Sequence, residues 1–369
     1  MSKQICCIFN SAPHYRMPIY SIMDTELECD FYFGDWLADS IKQLDFNTLN
    51  GFKKILSINQ IPLTGFEWQT GVWQLIFKPY KHYIITGTPG SLSNWLLACL
   101  AKISGKKIYA WTHGMKGNTS TMGKLIEKMF YRLCHRILLY GNHAKQNMIA
   151  EGFSSEKLVV IYNSLDHQKQ LVFRKNLKKT EIFSNHFDNN NPVIIHTGRI
   201  QKSKKIDQLI QVVANLNMTD IPCNLVLVGP NADSEGLETL PEDLKISKNV
   251  WFYGPCYDEA IIAELFYNSD VCVSPGPIGL TALHSMTYGC PVITNDNFSG
   301  HGPEYEALYP GKTGDFFKNN DLEDLNVKIQ KWINKDKFDK KSIAKMCQDI
   351  VDAKYNANYQ IDVLKSTIK

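Results

Sequence analysis

Residues 274–293 read SPGPIGLTALHSMTYGCPVI and carry no Asp, Glu, Lys or Arg. The apolar run DVCVS (270–274) ahead of them has the look of a buried strand. Gly276, Pro277 and Gly279 then form a turn whose backbone a ligand can approach closely. LTALHSMTY follows with apolar residues at helical spacing, and Gly289 and Pro291 mark its end. CPVITND (290–296) is a second strand. Strand, turn, helix and strand in this order form the unit of a parallel sheet.

The same rhythm extends in both directions. Strands are expected at 4–10, 29–34, 81–87, 106–114, 136–141 and 157–163, and again at 192–198, 223–229, 250–254 and 271–276. Helix-like stretches lie between them at 91–104, 123–134, 205–217 and 258–269, the last opened by Asp258 as a cap. Residues 166–191 are polar, rich in Asn and Lys, and poor in strand formers, so they are read as a linker with room for a short helix. The fold class is α/β: two doubly wound Rossmann-like domains facing each other across a cleft, 1–165 before the linker and 192–351 after it.

Composition fits two globular domains. Of 369 residues, 44% are hydrophobic and 21% charged, and the net charge is +3. That balance gives no ground for nucleic acid as a partner. No segment has the length and apolarity of a membrane span, and the N-terminus lacks a signal-peptide pattern, so a cytoplasmic chain is expected. The ten cysteines are scattered without metal-ligand spacing, so no metal site is expected. One region is lopsided. Lys102, Lys106, Lys107, Lys116, Lys124, Lys128, Arg132, Arg136 and Lys145 face a single acid, Glu127.

Two segments carry the chemistry. In HTGRIQKSKKID (196–207), Arg199, Lys202, Lys204 and Lys205 stand between a strand end and a helix start, which suits an anion. A solvated lysine-rich turn is the ordinary alternative. The turn at 276–281 offers backbone amides at 278–281 to a phosphate or sugar hydroxyl, with His284 one helical turn further on. A third segment, FNSAPHYRMPIY (9–20), places His14, Tyr15 and Arg16 where they could meet acceptor or donor phosphate. GKTG (311–314) is no phosphate loop, because Glu306 stands where that loop would need a glycine.

Strand-GR (Arg199), Lys204, SPGPIGLTALHSMTYGCPVI and PEYEALYPGKTG (303–314) together resemble the retaining GT-B glycosyltransferases of family 4, also called glycosyl transferases group 1. WTHG (111–114), LLYGNHAKQNMIAEGF (138–153) and VVIYNSLD (159–166) are similar to acceptor-domain segments of its polysaccharide-building bacterial members. The resemblance implies transfer of a sugar from a nucleotide-sugar, UDP- or GDP-linked, with retention and without an obligatory metal or cofactor. It also implies that a terminal helix, about 352–369, returns to the N-terminal domain.

By this resemblance Arg199 and Lys204 hold the donor diphosphate and His113 orients the sugar, which makes these three the catalytic set. Gly198, Gly276, Ile278, Gly279, Leu280, Thr281, His284 and Glu306 form the donor-binding set. One departure is plain. The family carries two glutamates around this loop, and Gly276 and His284 occupy their positions. Neutral imidazole has one acceptor nitrogen where a carboxylate accepts two hydroxyls. The acceptor implied is a growing, lipid-linked bacterial surface polysaccharide such as capsule or lipopolysaccharide. The basic helix 123–136 is then expected to turn apolar residues inward and charges toward the cytoplasmic membrane surface. A nucleotide-sugar 2-epimerase, or a non-catalytic sugar-nucleotide-binding partner, are the competing readings.

Overall fold

A computed structural model describes residues 4–35, 42–115, 120–219, 221–233, 236–334 and 339–368. Lys116, counted above in the basic region, lies outside them. The chain forms two compact units: residues 1–166 with 356–369, and residues 167–355.

The first unit contains strands β1 (Ile5–Phe9), β2 (Asp30–Gly34), β3 (Phe52–Leu56), β4 (Ile58–Gln60), β5 (Glu67–Gln69), β6 (His82–Thr86), β7 (Lys107–Thr112), β8 (Arg136–Leu139) and β9 (Leu158–Val160). Seven of them form one parallel sheet in the order β3-β2-β1-β6-β7-β8-β9, and β4 and β5 pair as a separate hairpin. Its helices are α1 (Met17–Glu26), α2 (Leu92–Ile103), α3 (Thr121–Leu133) and α4 (Asn142–Ala150). The central strands read as nearly unbroken apolar runs because both faces are covered. One face packs Leu97, Ala98, Phe130 and Met148. The other packs Tyr20, Met23 and the terminal helix.

The second unit opens with α5 (His167–Asn176) and α6 (Ile182–Phe187). Then follow β10 (Val193–Thr197), α7 (Ile206–Asn217), β11 (Asn224–Val228), α8 (Leu240–Asp243), β12 (Val250–Gly254), α9 (Glu259–Asn268), β13 (Val271–Ser274), α10 (Thr281–Thr287), β14 (Val292–Asn295), β15 (Gly314–Phe317), α11 (Leu322–Ile333) and α12 (Lys340–Lys354). The sheet is parallel with order β12-β11-β10-β13-β14-β15. Asp258 caps α9 by accepting from the Ala260 amide at 2.8 Å. Gly289 ends α10 at φ +81°, and a Cβ there would stand 2.6 Å from the Ala344 methyl.

One sequence reading is corrected. Residues 166–191 are not a bare linker, because α5 and α6 are built into the second unit. Arg174 meets Asp352 of α12 through two bonds of 3.0 and 2.7 Å, and His167 meets it at 2.7 Å. Polar side chains that looked solvated are paired, and Phe183 and Phe187 are buried. The return to the first unit follows Tyr355, through α13 (Ala357–Thr367), which lies within the expected 352–369 and whose Ala357, Ile361 and Leu364 enter the core beside α1. β3, the β4–β5 hairpin and β15 were not foreseen.

Candidate donor site

Counted within the second unit, the strand order is 3-2-1-4-5-6, which reverses direction between β10 and β13. In open parallel sheets ligands bind outside the carboxyl ends of the strands at such a reversal. Gly198–Lys205 leave β10 there, and Pro275–Leu280 leave β13. Gly198 has φ +129°, and its carbonyl oxygen lies where a Cβ on Gly229 would be 1.9 Å away. The Thr281 hydroxyl donates to the Thr197 carbonyl at 3.2 Å, tying the start of α10 to the end of β10.

The two loops interlock. The Gly276 amide donates to the Lys204 carbonyl at 3.0 Å. A Cβ at Gly276 would lie 2.2 Å from the Ser203 carbonyl oxygen and 2.6 Å from Lys204 Cα. No side chain fits there in this arrangement of the two loops. The Lys204 ammonium donates to the Pro277 carbonyl. From behind, Asn295 Nδ2 donates to the Pro275 carbonyl at 2.7 Å and the Thr294 hydroxyl to the Ser274 carbonyl at 2.9 Å.

This scaffold holds two cations close together. Burial lowers the Lys204 pKa, and the neighbouring Arg199 guanidinium lowers it further. Arg199 itself is exposed. A pair that repels in this way gains when an anion enters between its members. Lys205, grouped with them in sequence, adopts φ +54° and turns its ammonium to Asn319 and Asn320, at 2.8 and 2.7 Å. Within β10, His196 is buried, its Nδ1–H donates to the Val273 carbonyl at 2.9 Å, and burial pushes its pKa down to about 4.

The turn after Gly276 differs from expectation at one amide. The Ile278 N–H is already given to His301 Nδ1 at 3.0 Å. His301 Nε2–H donates to the Asn295 carbonyl at 2.8 Å, so these two partners fix a neutral imidazole. Burial lowers the His301 pKa, and Lys204 adds to that. Ile278 is thus spoken for by the fold, and α10 is only seven residues long. Glu306 is half-buried on the short helix Pro303–Ala307. The acid beneath the turn is its neighbour Glu304, which is buried, with Oε2 3.7 Å from where a Cβ on Gly279 would stand. Sequence reading passed over Glu304, although PEYE places two acids two residues apart.

His284 is held from α9. Its Nε2–H donates to Glu259 Oε1 at 2.8 Å, and Tyr288 Oη and Gln170 Nε2 donate to the same oxygen at 2.5 and 3.1 Å. Burial works to raise the Glu259 pKa, yet these hydrogen bonds, that of His284 first, hold it at about 2. A carboxylate therefore does stand beside position 284, but it comes from Glu259, which sequence reading did not single out.

The first unit has its own cluster at the reversal between β1 and β6. Arg16 donates to the Tyr140 hydroxyl and lies over the Trp111 and Tyr140 rings, 5.5 and 5.2 Å from their centroids. Burial opposes its charge, but Tyr140 and Tyr20 outweigh that and its pKa is raised. Arg16 and Tyr15 line a cavity of about 110 Å³ with Asn10, Thr86 and Trp111. His113 is exposed just after β7, its ring 4.6 Å from that of Tyr140. His14 is turned elsewhere, its Nδ1–H donating to the Lys42 carbonyl at 3.1 Å.

Residues 178–349 match the family described as glycosyl transferases group 1. Residues 178–349 therefore resemble a group 1 glycosyltransferase domain. This domain contains the interlocked loops, Arg199, Lys204 and the whole β10–β15 sheet. Over 146 residues the chain is 30% identical to the putative glycosyltransferase EpsD of Bacillus subtilis, covering 39% of this chain and 36% of that protein. Over 234 residues it is 23% identical to the lipopolysaccharide 1,6-galactosyltransferase of Salmonella typhimurium, covering 61% and 58%. The matches thus span a third to somewhat over half of these relatives' lengths. In fold the chain resembles Anabaena HepE, solved in complex with UDP, with a TM-score of 0.74, 17% identity and 99% of each chain covered. The architecture is GT-B, two Rossmann-like domains around separate parallel sheets.

Proposed function

We propose that the protein transfers a sugar from a nucleotide-sugar, UDP- or GDP-linked, to a growing bacterial surface polysaccharide. Arg199 and Lys204 carry this reading, two cations on the loop that leaves β10 at the strand reversal, within the stretch that matches the group 1 glycosyltransferase family. As the sugar leaves, negative charge gathers on the donor's distal phosphate. The cation pair stabilises that charge more in the transition state than in the ground state. The acceptor hydroxyl oxygen bonds the anomeric carbon on the face from which the phosphate departs and gives its proton to a departing phosphate oxygen, so the anomeric configuration is retained, and the two cations stand in for an obligatory metal. His113 orients the transferred sugar and Glu306 and the 278–281 turn contact the donor.

The named relatives support a polysaccharide substrate: one is a putative glycosyltransferase and another acts on lipopolysaccharide by its name. The acceptor is lipid-linked and is met at the cytoplasmic membrane face. Among the described residues no helix is long and apolar enough to cross a membrane. Turnover of UDP- and GDP-sugars in the presence of a chelator, followed by proton NMR of the anomeric signal, tests the proposal. Release of nucleoside diphosphate with a retained α or β signal supports it. No turnover or binding of any donor contradicts it.

A further inference from the structure

The outer face of α3 is apolar. Met122, Leu125 and Met129 stand at i, i+3 and i+7 and are 67%, 50% and 51% exposed. The adjacent α2 shows Leu96, Cys99 and Ile103 outward at the same spacing, with Ile103 84% exposed. Phe77, 78% exposed, ends the short helix Trp73–Phe77 that packs against α2. The core is not short of these side chains, since Leu97, Ala98, Ala101, Phe130 and Tyr131 fill it from the inner faces of the same helices. The sequence expectation of apolar residues inward is therefore only half met, because α3 is apolar on both sides.

The charge around this face is mostly positive, with Glu151 as the acid drawn up against it. Between Glu67 and Glu127 the chain holds seven lysines and neither Asp nor Glu, and Glu127 is buried beneath α3. Lys124 and Lys128 are drawn aside to Glu151 at 3.4 and 2.6 Å. Lys102 and Arg132 remain exposed at the ends of α2 and α3. Lys157 joins them, donating to the Arg132 carbonyl at 3.0 Å. Burial lowers the Lys157 pKa, and Lys102 and Arg132 contribute to that.

We propose that the outer face of α2 and α3 docks on an anionic phospholipid bilayer, with Ile103, Met122, Leu125 and Met129 entering the headgroup boundary and Lys102, Arg132 and Lys157 meeting lipid phosphates. Unbranched methionines and a rim in which cations outnumber acids match a fluid anionic surface. This deepens the reading of a membrane-face acceptor and rests on it only for its purpose.

Flotation of the full chain with vesicles tests it. The protein should float with phosphatidylcholine vesicles containing phosphatidylglycerol, be released by high salt, and ignore phosphatidylcholine alone. Partitioning should fall about fivefold for each of Lys102→Gln and Arg132→Gln, and at least about tenfold in the Leu125→Ser, Met129→Ser double variant. Nucleotide affinity, measured in the same variants, should stay at the wild-type value. Failure of the wild type to float, or wild-type flotation by every variant, overturns the proposal. So does a self-associating wild type that the double variant renders monomeric, which would assign the face to a second copy. Flotation without any nucleotide binding would strike the donor reading and leave this one standing.

Discussion

The Gly276 amide donates to the Lys204 carbonyl oxygen at 3.0 Å, with no room between the two chains for a single methyl group. The loop after β13 thereby fixes the backbone of the residue whose ammonium it also receives at Pro277. Lys204 is aimed by Gly276.

Gly276→Ala should therefore act on stability and on ligand together. Its Cβ would press on backbone, which cannot swing aside, so a loss of about 1–3 kcal/mol is expected. Denaturant unfolding and nucleoside diphosphate titration of the same variant check this. Both should fall, whereas an unchanged midpoint with unchanged affinity would mean the loops do not interlock in solution.

Lys204→Met removes one of the two cations and leaves the packing of its stem. A charged hydrogen bond to phosphate contributes about 1.5–3 kcal/mol, so diphosphate affinity should weaken roughly 10- to 150-fold. Lys205→Met, whose ammonium serves Asn319 and Asn320, should leave affinity near the wild-type value.

Glu259 makes the fold acid-sensitive. Its folded pKa of about 2 lies below its ordinary 4.5, so its contribution is complete above pH 4.5 and is lost as pH falls toward 2. The full term is on the order of 2–3 kcal/mol. Glu259→Gln should be less stable than wild type at neutral pH, and the gap should close below pH 4.5. A constant gap across that range would deny the carboxylate its bond to His284.

His301 works with the opposite charge and the same slope. Its pKa is lowered in the folded state, so stability is complete above its ordinary 6.5 and declines as pH falls below that value, when the unfolded chain binds the proton first. Nitrogen-15 imidazole spectra should show the Nε2–H tautomer at neutral pH. An Nδ1–H signal would contradict the Ile278 and Asn295 bonds.

The fold was largely legible because buried parallel strands read as apolar runs: VIIHT, NLVLV and VCVS each sit where their composition placed them. β3 escaped notice because FKKIL is an edge strand with three exposed residues, and β15 because GDFF follows a glycine turn that drew attention first. Arg199, Lys204 and Gly276 could be singled out because a strand end, a cationic turn and a glycine-rich turn coincide with segments that resemble a known family. Glu259, Glu304 and His301 were not. Each meets its partner from another element, and no local pattern in sequence records a contact between residues 25 positions apart such as Glu259 and His284. The polar stretch 166–191 misled for the same reason, since Asp352, the partner of His167 and Arg174, lies far along the chain.

The most direct measurement is calorimetric titration of UDP and GDP, without added metal, into the wild type and Arg199→Ala. The cation-pair account predicts micromolar binding of one of the two by the wild type, weakened at least about tenfold in the variant, with the same unfolding midpoint in both. Equal affinity in the two proteins, or no binding of either nucleotide by the wild type, would contradict it.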